Sequence, residues 1–442
     1  MPFLSLISTI RWTPAGTDFV ITAVFLFRTY LQGVAVNRLD RRQLLISGVA
    51  TALLASRGAW AQSAATFRIG ALNPITGAGA NFGSGMQKSI LFAVEEVNAA
   101  GGAGGRKLEV FAEDDQTSPN AAVLAAKKLL EVHRVQAILG TWASGVSLAV
   151  LPMTNAANAI LMHTSGAVAL ADPKVNGKKL GFRYQGSSKH LSRAFTTAAT
   201  KEGLKRPAVM AQNNPALAPH AEGFRKVWEA NGGKLTDFVL YEPNRPSYRS
   251  ELQQVLRSKP DGIILSAYVA DATAIVRDWA QLGTPMKWII PGFGANIDFI
   301  KGVTPEVAEG IVVVESVVNE RSSAYARFSR QYALTVKQAP ENNVYAAMCY
   351  DMVQVLALAI EAAGPGADAV AVAAKVREVT TGKGQSVGSF EEGKKLLAQK
   401  KAINYEGASS SIDFDDENDV DPTFAAFVIR AGKWQRSYTI NG

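Results

Sequence analysis

Four histidines, a single cysteine and two acidic clusters are the residues of this chain on which chemistry would draw first. His133, His163, His190 and His220 share no metal-ligand spacing, and Cys349 has no second thiol to complete a zinc site. Asp114-Asp115 stands between a strand pattern and a capped helix, and Asp415-Asp416-Glu417 lacks the ligand pattern of a calcium loop. Both read as solvated turns. Gly388-Ser389-Phe390-Glu391-Glu392-Gly393-Lys394-Lys395 has the glycine and lysine spacing of a phosphate loop. It puts Lys395 where the metal-binding hydroxyl belongs, however, and two carboxylates where phosphate would lie. Gly77-Ala78-Gly79 and Gly292-Phe293-Gly294 lack the third glycine of a dinucleotide fingerprint, and no Gly-x-Ser-x-Gly elbow occurs. Catalysis, a metal and a cofactor all lack residues to rest on, so the chain reads as a non-enzyme.

The elements that would position a site are plainer. With 442 residues, 48% hydrophobic and 19% charged, the chain can bury substantial cores, which excludes disorder as its main state. Beyond residue 61 it carries 40 basic against 36 acidic residues, too even a balance for a nucleic-acid partner. Short apolar runs alternate with segments of helical period, the pattern of parallel sheets with crossover helices. Strands are predicted at 67–72, 108–112, 137–139 and 159–162, with helices between them. The helix after Ser118-Pro119 has its N-cap and first-turn proline in place, and another is expected over 146–157.

The alternation restarts after Gly186, with strands expected at 207–211, 235–241, 262–266 and 288–290 and helices at 222–231 and 248–258. Helices over 322–337, 343–363 and 368–379 would complete the first lobe by a return crossing, and strands at 412–415 and 424–429 are assigned to the second. Cys349 falls within the second of those helices as a buried, inert thiol, and a lone cysteine can form no internal disulfide. The fold class is α/β: two Rossmann-like lobes with parallel sheets, 66–186 plus 318–404 and 187–317 plus 405–442, joined by a hinge of several crossings. Ligands of such sheets bind beyond the carboxyl ends of the strands, so function is expected in the cleft between the lobes.

Residues 1–61 read as an export region. Asp40-Arg41-Arg42 precedes an apolar run from Leu44 to Ala55, and Ala59-Trp60-Ala61 offers a cleavage site after Ala61. The run is too short to span a membrane, which takes roughly 20 apolar residues. The arginine pair resembles a twin-arginine signal with Asp40 in place of the usual Ser or Thr, so export to the periplasm by that or the general secretory route is expected. Residues 1–37, with a second apolar run from Phe19 to Phe27, read as an extension upstream of the true start.

Ile69-Gly70-Ala71-Leu72-Asn73-Pro74-Ile75-Thr76-Gly77 with Phe82-Gly83, Val97-Asn98-Ala99-Ala100-Gly101-Gly102, Glu113-Asp114-Asp115, 140–144, Phe182-Arg183, Tyr268 and Ile412-Asp413-Phe414-Asp415 follow one another in a specific order. In these stretches, over nearly all of 66–435, the chain resembles type I periplasmic solute-binding proteins of the branched-chain amino acid transport family. The resemblance implies two hinged lobes that close over a small solute and deliver it, unaltered, to the permease subunits of an ATP-driven importer. A monomer suffices for that task. The same architecture serves as the sensing module of signalling systems, which neighbouring permease and ATPase genes would distinguish from transport. A dinucleotide-dependent oxidoreductase ranks third and has no fingerprint.

In amino-acid binders of this family a Ser, a nearby Ala and Thr, and an acidic residue from the second lobe grip the ligand's carboxylate and ammonium. Ser144 matches that Ser, with Ala143 beside it; a hydroxyl at a helix start can join free N–H groups in holding a carboxylate, or can merely cap the helix. Gly166 falls where the Ala stands, Val168 where the Thr is expected, and Gly292 where the acid is expected. Without that acid a buried ammonium would lose its main counter-ion. Phe82, Trp142, Tyr268 and Phe293 match ligand-facing loops of the family, although core or interface packing is the plain alternative for each. His220 stands where a tyrosine is common, able to donate to the ligand or to serve the surface. The expected ligand is an aromatic or other hydrophobic carboxylate held by Ser144, Ser165 and neighbouring N–H groups; branched-chain or other amino acids or amides are the alternative.

Overall fold

The computed structural model describes residues 66–440; the export region and the extension before it lie outside the described residues. The first sheet is parallel: β1 (Phe67–Asn73), β2 (Leu108–Asp114), β3 (Ala137–Gly140), β4 (Ile160–His163) and β5 (Gly181–Arg183), in the order β2-β1-β3-β4-β5. β3, β4 and β5 are buried throughout and β2 at the edge is partly exposed, the distribution expected when helices cover both faces. Leu72 pairs with Gly140, Gly140 with His163 and His163 with Arg183. That register brings four strand ends level, so the loops that follow all leave from one edge.

The second sheet contains β6 (Ala208–Gln212), β7 (Phe238–Tyr241), β8 (Ile263–Ser266), β9 (Trp288–Pro291) and β10 (Val312–Ser316), all parallel. β11 (Gln385–Val387) and β12 (Ile403–Tyr405) pair separately. β13 (Phe424–Arg430) then pairs antiparallel with β10, and β14 (Lys433–Ile440) extends the edge, giving the order β14-β13-β10-β9-β8-β6-β7. The chain passes between the two cores three times, near 184–188, 316–319 and 420–424.

The helix Val344–Ala363 is buried on every side from Val344 to Ile360. By length and composition it could cross a membrane, but here it is the central helix of the first core, where an all-round apolar surface belongs. Cys349 is buried within it, and burial pushes its thiol well above the usual range.

Three sequence expectations change. Residues 412–415 form no strand: Phe414 packs edge-on against Phe182 and Tyr184, with ring centroids 5.6 and 5.2 Å apart. Ala408, Ile412 and Val420 join the same first core, so the segment after 405 does not pass directly to the second lobe. The phosphate-loop look-alike, already rejected from its residues, is a helix start. The Ser389 hydroxyl accepts from the Glu392 N–H at 3.3 Å, the Glu392 carboxylate accepts from the Gly388 N–H at 2.9 Å, and the helix Phe390–Ala398 follows. Asp114 does brace a loop, accepting from the N–H groups of Ile75, Thr76 and Gln116. Asp115, in contrast, is fully buried, and desolvation pushes its carboxyl up to about 7.

Candidate functional site

The loops leaving the level strand ends converge on one cleft. After β3 come Trp142 and Ser144, after β4 Thr164 and Gly166, after β5 Gln185 and Gly186, with Tyr345 from the central helix. Facing them are Ser188, Leu191, Ala216, Leu217 and His220, together with Tyr268 after β8 and Phe293 after β9.

Aromatic rings form the walls. Trp142 has its centroid 5.3 Å from Tyr268, 6.4 Å from Phe293 and 5.9 Å from Tyr345. The Trp142 ring lies against Gly79, where a Cβ would come within 2.7 Å of it. Phe82 stands behind, 5.4 Å from Trp142 and 5.1 Å from Tyr345, and does not line the cleft. The free space between these walls is about 50 Å³, so a ring-sized guest needs the aromatic contacts to part.

The polar character of the cleft comes from helix ends. Ser144 opens the helix Ser144–Ala156, Ser188 opens Ser188–Lys201 and Leu217 opens Leu217–Ala230. Tyr268 is the N-cap of Val269–Leu282, and Tyr345 is the second residue of Val344–Ala363. Five helices therefore begin at cleft-lining residues, each with the positive end of its dipole there, although the Ser188, Leu217 and Ala346 N–H groups are already taken by the Gly166 carbonyl, Asn214 Oδ1 and Asn343 Oδ1. Among the described residues, no Asp, Glu, Lys or Arg lines the cleft.

Two buried polar atoms in this lining, Thr164 Oγ1 and His220 Nε2, lack a partner among the described residues. The other ring nitrogen of His220 meets Ser266 Oγ at 2.8 Å, and burial lowers the imidazole to about 3, so the ring is neutral. Burial also pushes the Tyr268 phenol up to about 12.

Of the residues expected from the sequence, Trp142, Ser144, Gly166, His220, Tyr268 and Phe293 meet in the cleft. Ser165 does not. Its hydroxyl is turned inward, 2.9 Å from the Trp142 carbonyl, 3.1 Å from that of Thr141 and 2.5 Å from Ser147 Oγ. It braces the β3 loop from behind. Ala143 is the N-cap residue behind Ser144, and Val168 starts the turn Val168–Ala171; neither lines the cleft. Ser144 Oγ accepts from the Ala167 N–H at 3.1 Å, tying two loops together. Arg183 holds the second of these loops, donating to the Ala167 carbonyl at 3.0 Å and to the Ser165 carbonyl while pairing with Asp419 at 2.7 Å.

Sequence reasoning missed Thr164, Gln185, Gly186, Ser188, Leu191, Ala216, Leu217 and Tyr345. The rule that ligands sit beyond strand ends could have found Thr164 and Gln185. Tyr345 gave no signal, because its helix reads as core. Gly292 does lack an acidic side chain, but Glu315 of β10 fills the space beside it: a Cβ at 292 would lie 2.6 Å from Glu315 Oε2. Burial pushes this carboxyl up to about 7.

Residues 66–419 match the family described as periplasmic binding protein. The Leu/Ile/Val-binding protein BraC3 of Rhizobium johnstonii is 25% identical over 333 residues, covering 74% of this chain and 88% of the relative. A leucine binding protein, LivK, of Thermotoga maritima superposes with a TM-score of 0.72 at 22% identity, over 85% of this chain and 99% of that one. A solute binding protein of an ABC transporter from R. palustris, solved with benzoate, gives 0.66 at 19% identity, over 86% of this chain and 98% of that one. Its family is one of binders and not of enzymes, in keeping with a cleft built from rings and helix ends: the chain belongs to the periplasmic binding protein family.

Proposed function

We propose that this chain captures a small organic anion, an aromatic or other hydrophobic carboxylate, by closure of its two lobes in the periplasm and hands it unchanged to the permease of an ATP-driven importer. One observation carries the ligand class: five helix N-termini open onto a cleft with aromatic walls and no charged side chain in its lining. Helix N-termini favour anions, and apolar walls favour a ring through burial and stacking. An α-ammonium would meet no carboxylate in the lining, and leaving such a charge unpaired is costly. The fold does not choose between ligands, since the T. maritima protein is a leucine binding protein and the R. palustris protein holds benzoate.

The name of the R. johnstonii relative favours a second reading, a branched-chain amino acid as the ligand. Thermal shift with benzoate, phenylacetate, leucine and valine separates the two, because bound ligand raises apparent stability by mass action. A rise with the aromatic acids supports the proposal. A rise with leucine or valine and none with either aromatic acid overturns it.

A further inference from the structure

Glu315 is a buried carboxyl that the reading above leaves without a task. It sits near the end of β10, one strand over from Gly292, and only the missing side chain at 292 gives it room. Its Oε1 accepts from the Ser316 N–H at 2.8 Å and lies 3.0 Å from Ser316 Oγ, which is itself 3.1 Å from Gln185 Oε1. Gln185, through which Ser316 reaches the ligand side, lines the cleft. Among the described residues no Lys, Arg or His pairs with Glu315.

The Ser316 hydroxyl has one proton and two neighbours to satisfy, Glu315 Oε1 and the side-chain amide of Gln185. With a proton on Glu315, the carboxyl donates to Ser316 and Ser316 donates to the Gln185 carbonyl, so the Gln185 NH2 is turned toward the cleft. When Glu315 is ionised, Ser316 donates to it and Gln185 turns its NH2 to Ser316, so the cleft meets the amide oxygen instead.

Resting on the carboxylate reading, we propose that Glu315 is a positioning residue that sets the hydrogen-bond polarity of the cleft through Gln185: neutral, it leaves a donor for an anionic ligand, and ionised, it withdraws that donor. The carboxyl is pushed up to about 7 by desolvation, which places the change between mildly acidic and mildly alkaline solution. The groups around it do not titrate there. Tyr345 and Tyr268 are both raised by burial, Gln185, Ser316 and Trp434 carry no charge, and His220 across the cleft stays neutral.

The test is calorimetric titration of benzoate at pH 5.5 and pH 8.5 into the wild type, Glu315→Gln and Gln185→Leu. The wild type is expected to bind about tenfold more tightly at the lower pH, the equivalent of one pKa unit of coupling. Glu315→Gln, neutral at both values, and Gln185→Leu, which lacks the relay, should each lose that difference; the second variant decides if the first fails to fold. Benzoate binding with the same pH ratio in all three proteins overturns the role of Glu315 and leaves the carboxylate reading standing. No benzoate binding at either pH overturns both.

Discussion

Trp142 of the first lobe and Tyr268 of the second face each other across the cleft with ring centroids 5.3 Å apart and planes 42° to one another. This pair is the lobe-to-lobe contact at the centre of the aromatic walls, and Phe293 and Tyr345 complete the ring around Trp142. A flat guest that parts Trp142 from Tyr268 replaces one aromatic contact with two. Aromatic pairs contribute about 0.5–1.5 kcal/mol beyond the area they bury. Trp142→Ala should therefore weaken benzoate by about two- to tenfold, read by calorimetric titration, while Trp142→Phe keeps most of the affinity. Equal affinity in Trp142→Ala would mean that the ring is interface packing and nothing else.

Ser144 is the polar counterpart of that wall. Its hydroxyl already accepts from the Ala167 N–H, which leaves its proton free for an acceptor in the cleft. A hydrogen bond to a charged group contributes about 1.5–3 kcal/mol. Ser144→Ala should raise the benzoate dissociation constant by roughly ten- to a hundredfold and, because the buried Ala167 N–H loses its acceptor, lower the melting temperature by a few degrees. An unchanged dissociation constant removes Ser144 from the site.

Arg183 and Asp419 make a buried pair that fixes the loop behind Ser144. Removing one partner of a buried pair leaves an uncompensated charge, at a cost of about 3–5 kcal/mol. Arg183→Met should lose about that much in denaturant unfolding, and it should also weaken ligand binding, because the 165–167 segment loses its anchor. In the double variant Arg183→Met with Asp419→Leu, the loss should be smaller than the two single losses combined. Strict additivity would show that the pair does not act as a unit.

Much of this arrangement was legible in the residues. Strands such as Ile160–His163 are buried on both faces and read as unbroken apolar runs, and the loops after them hold Trp142, Ser144, Tyr268 and Phe293. What stayed hidden came from elements whose sequence signal was already spent. Tyr345 belongs to a helix so apolar that every position reads as core. Ser188 and Gln185 stand at chain crossings, which have no period. Ser165 looked like a ligand hydroxyl, yet the carbonyls of Thr141 and Trp142 beside it lie buried, and its inward turn gives them a donor. Glu315 reads as one polar residue in a strand, and only the close approach to Gly292 explains where its carboxyl goes.

Asp351 ties the central helix to the segment that follows β12. It accepts from the Tyr405 hydroxyl and the Ala408 N–H at 2.8 Å each, the Ser409 N–H at 2.7 Å and the Ser409 hydroxyl at 2.6 Å. Asp351→Asn puts an amide donor against one of these donor pairs, and a buried group left unsatisfied costs about 1–3 kcal/mol. A melting temperature lowered by several degrees is expected, with the benzoate constant nearly unchanged because Asp351 does not line the cleft.

The pH dependence of stability follows from groups that burial pushes in opposite directions. Glu315 and Asp115 rise to about 7, from ordinary values of 4.5 and 3.8. The folded protein binds these protons more tightly than the unfolded chain, so each contributes stability that is present at low pH and lost as pH climbs to about 7. His220 falls to about 3 from 6.5, and it contributes stability that is lost as pH drops below 6.5. The two trends oppose each other below 6.5; above it only the carboxyl groups act. Calorimetric melting of the ligand-free wild type should therefore decline from pH 6.5 to 8, and Glu315→Gln should decline less, with one pKa unit corresponding to about 1.4 kcal/mol. Identical slopes in the two proteins would show that Glu315 does not titrate there, whatever the cleft binds.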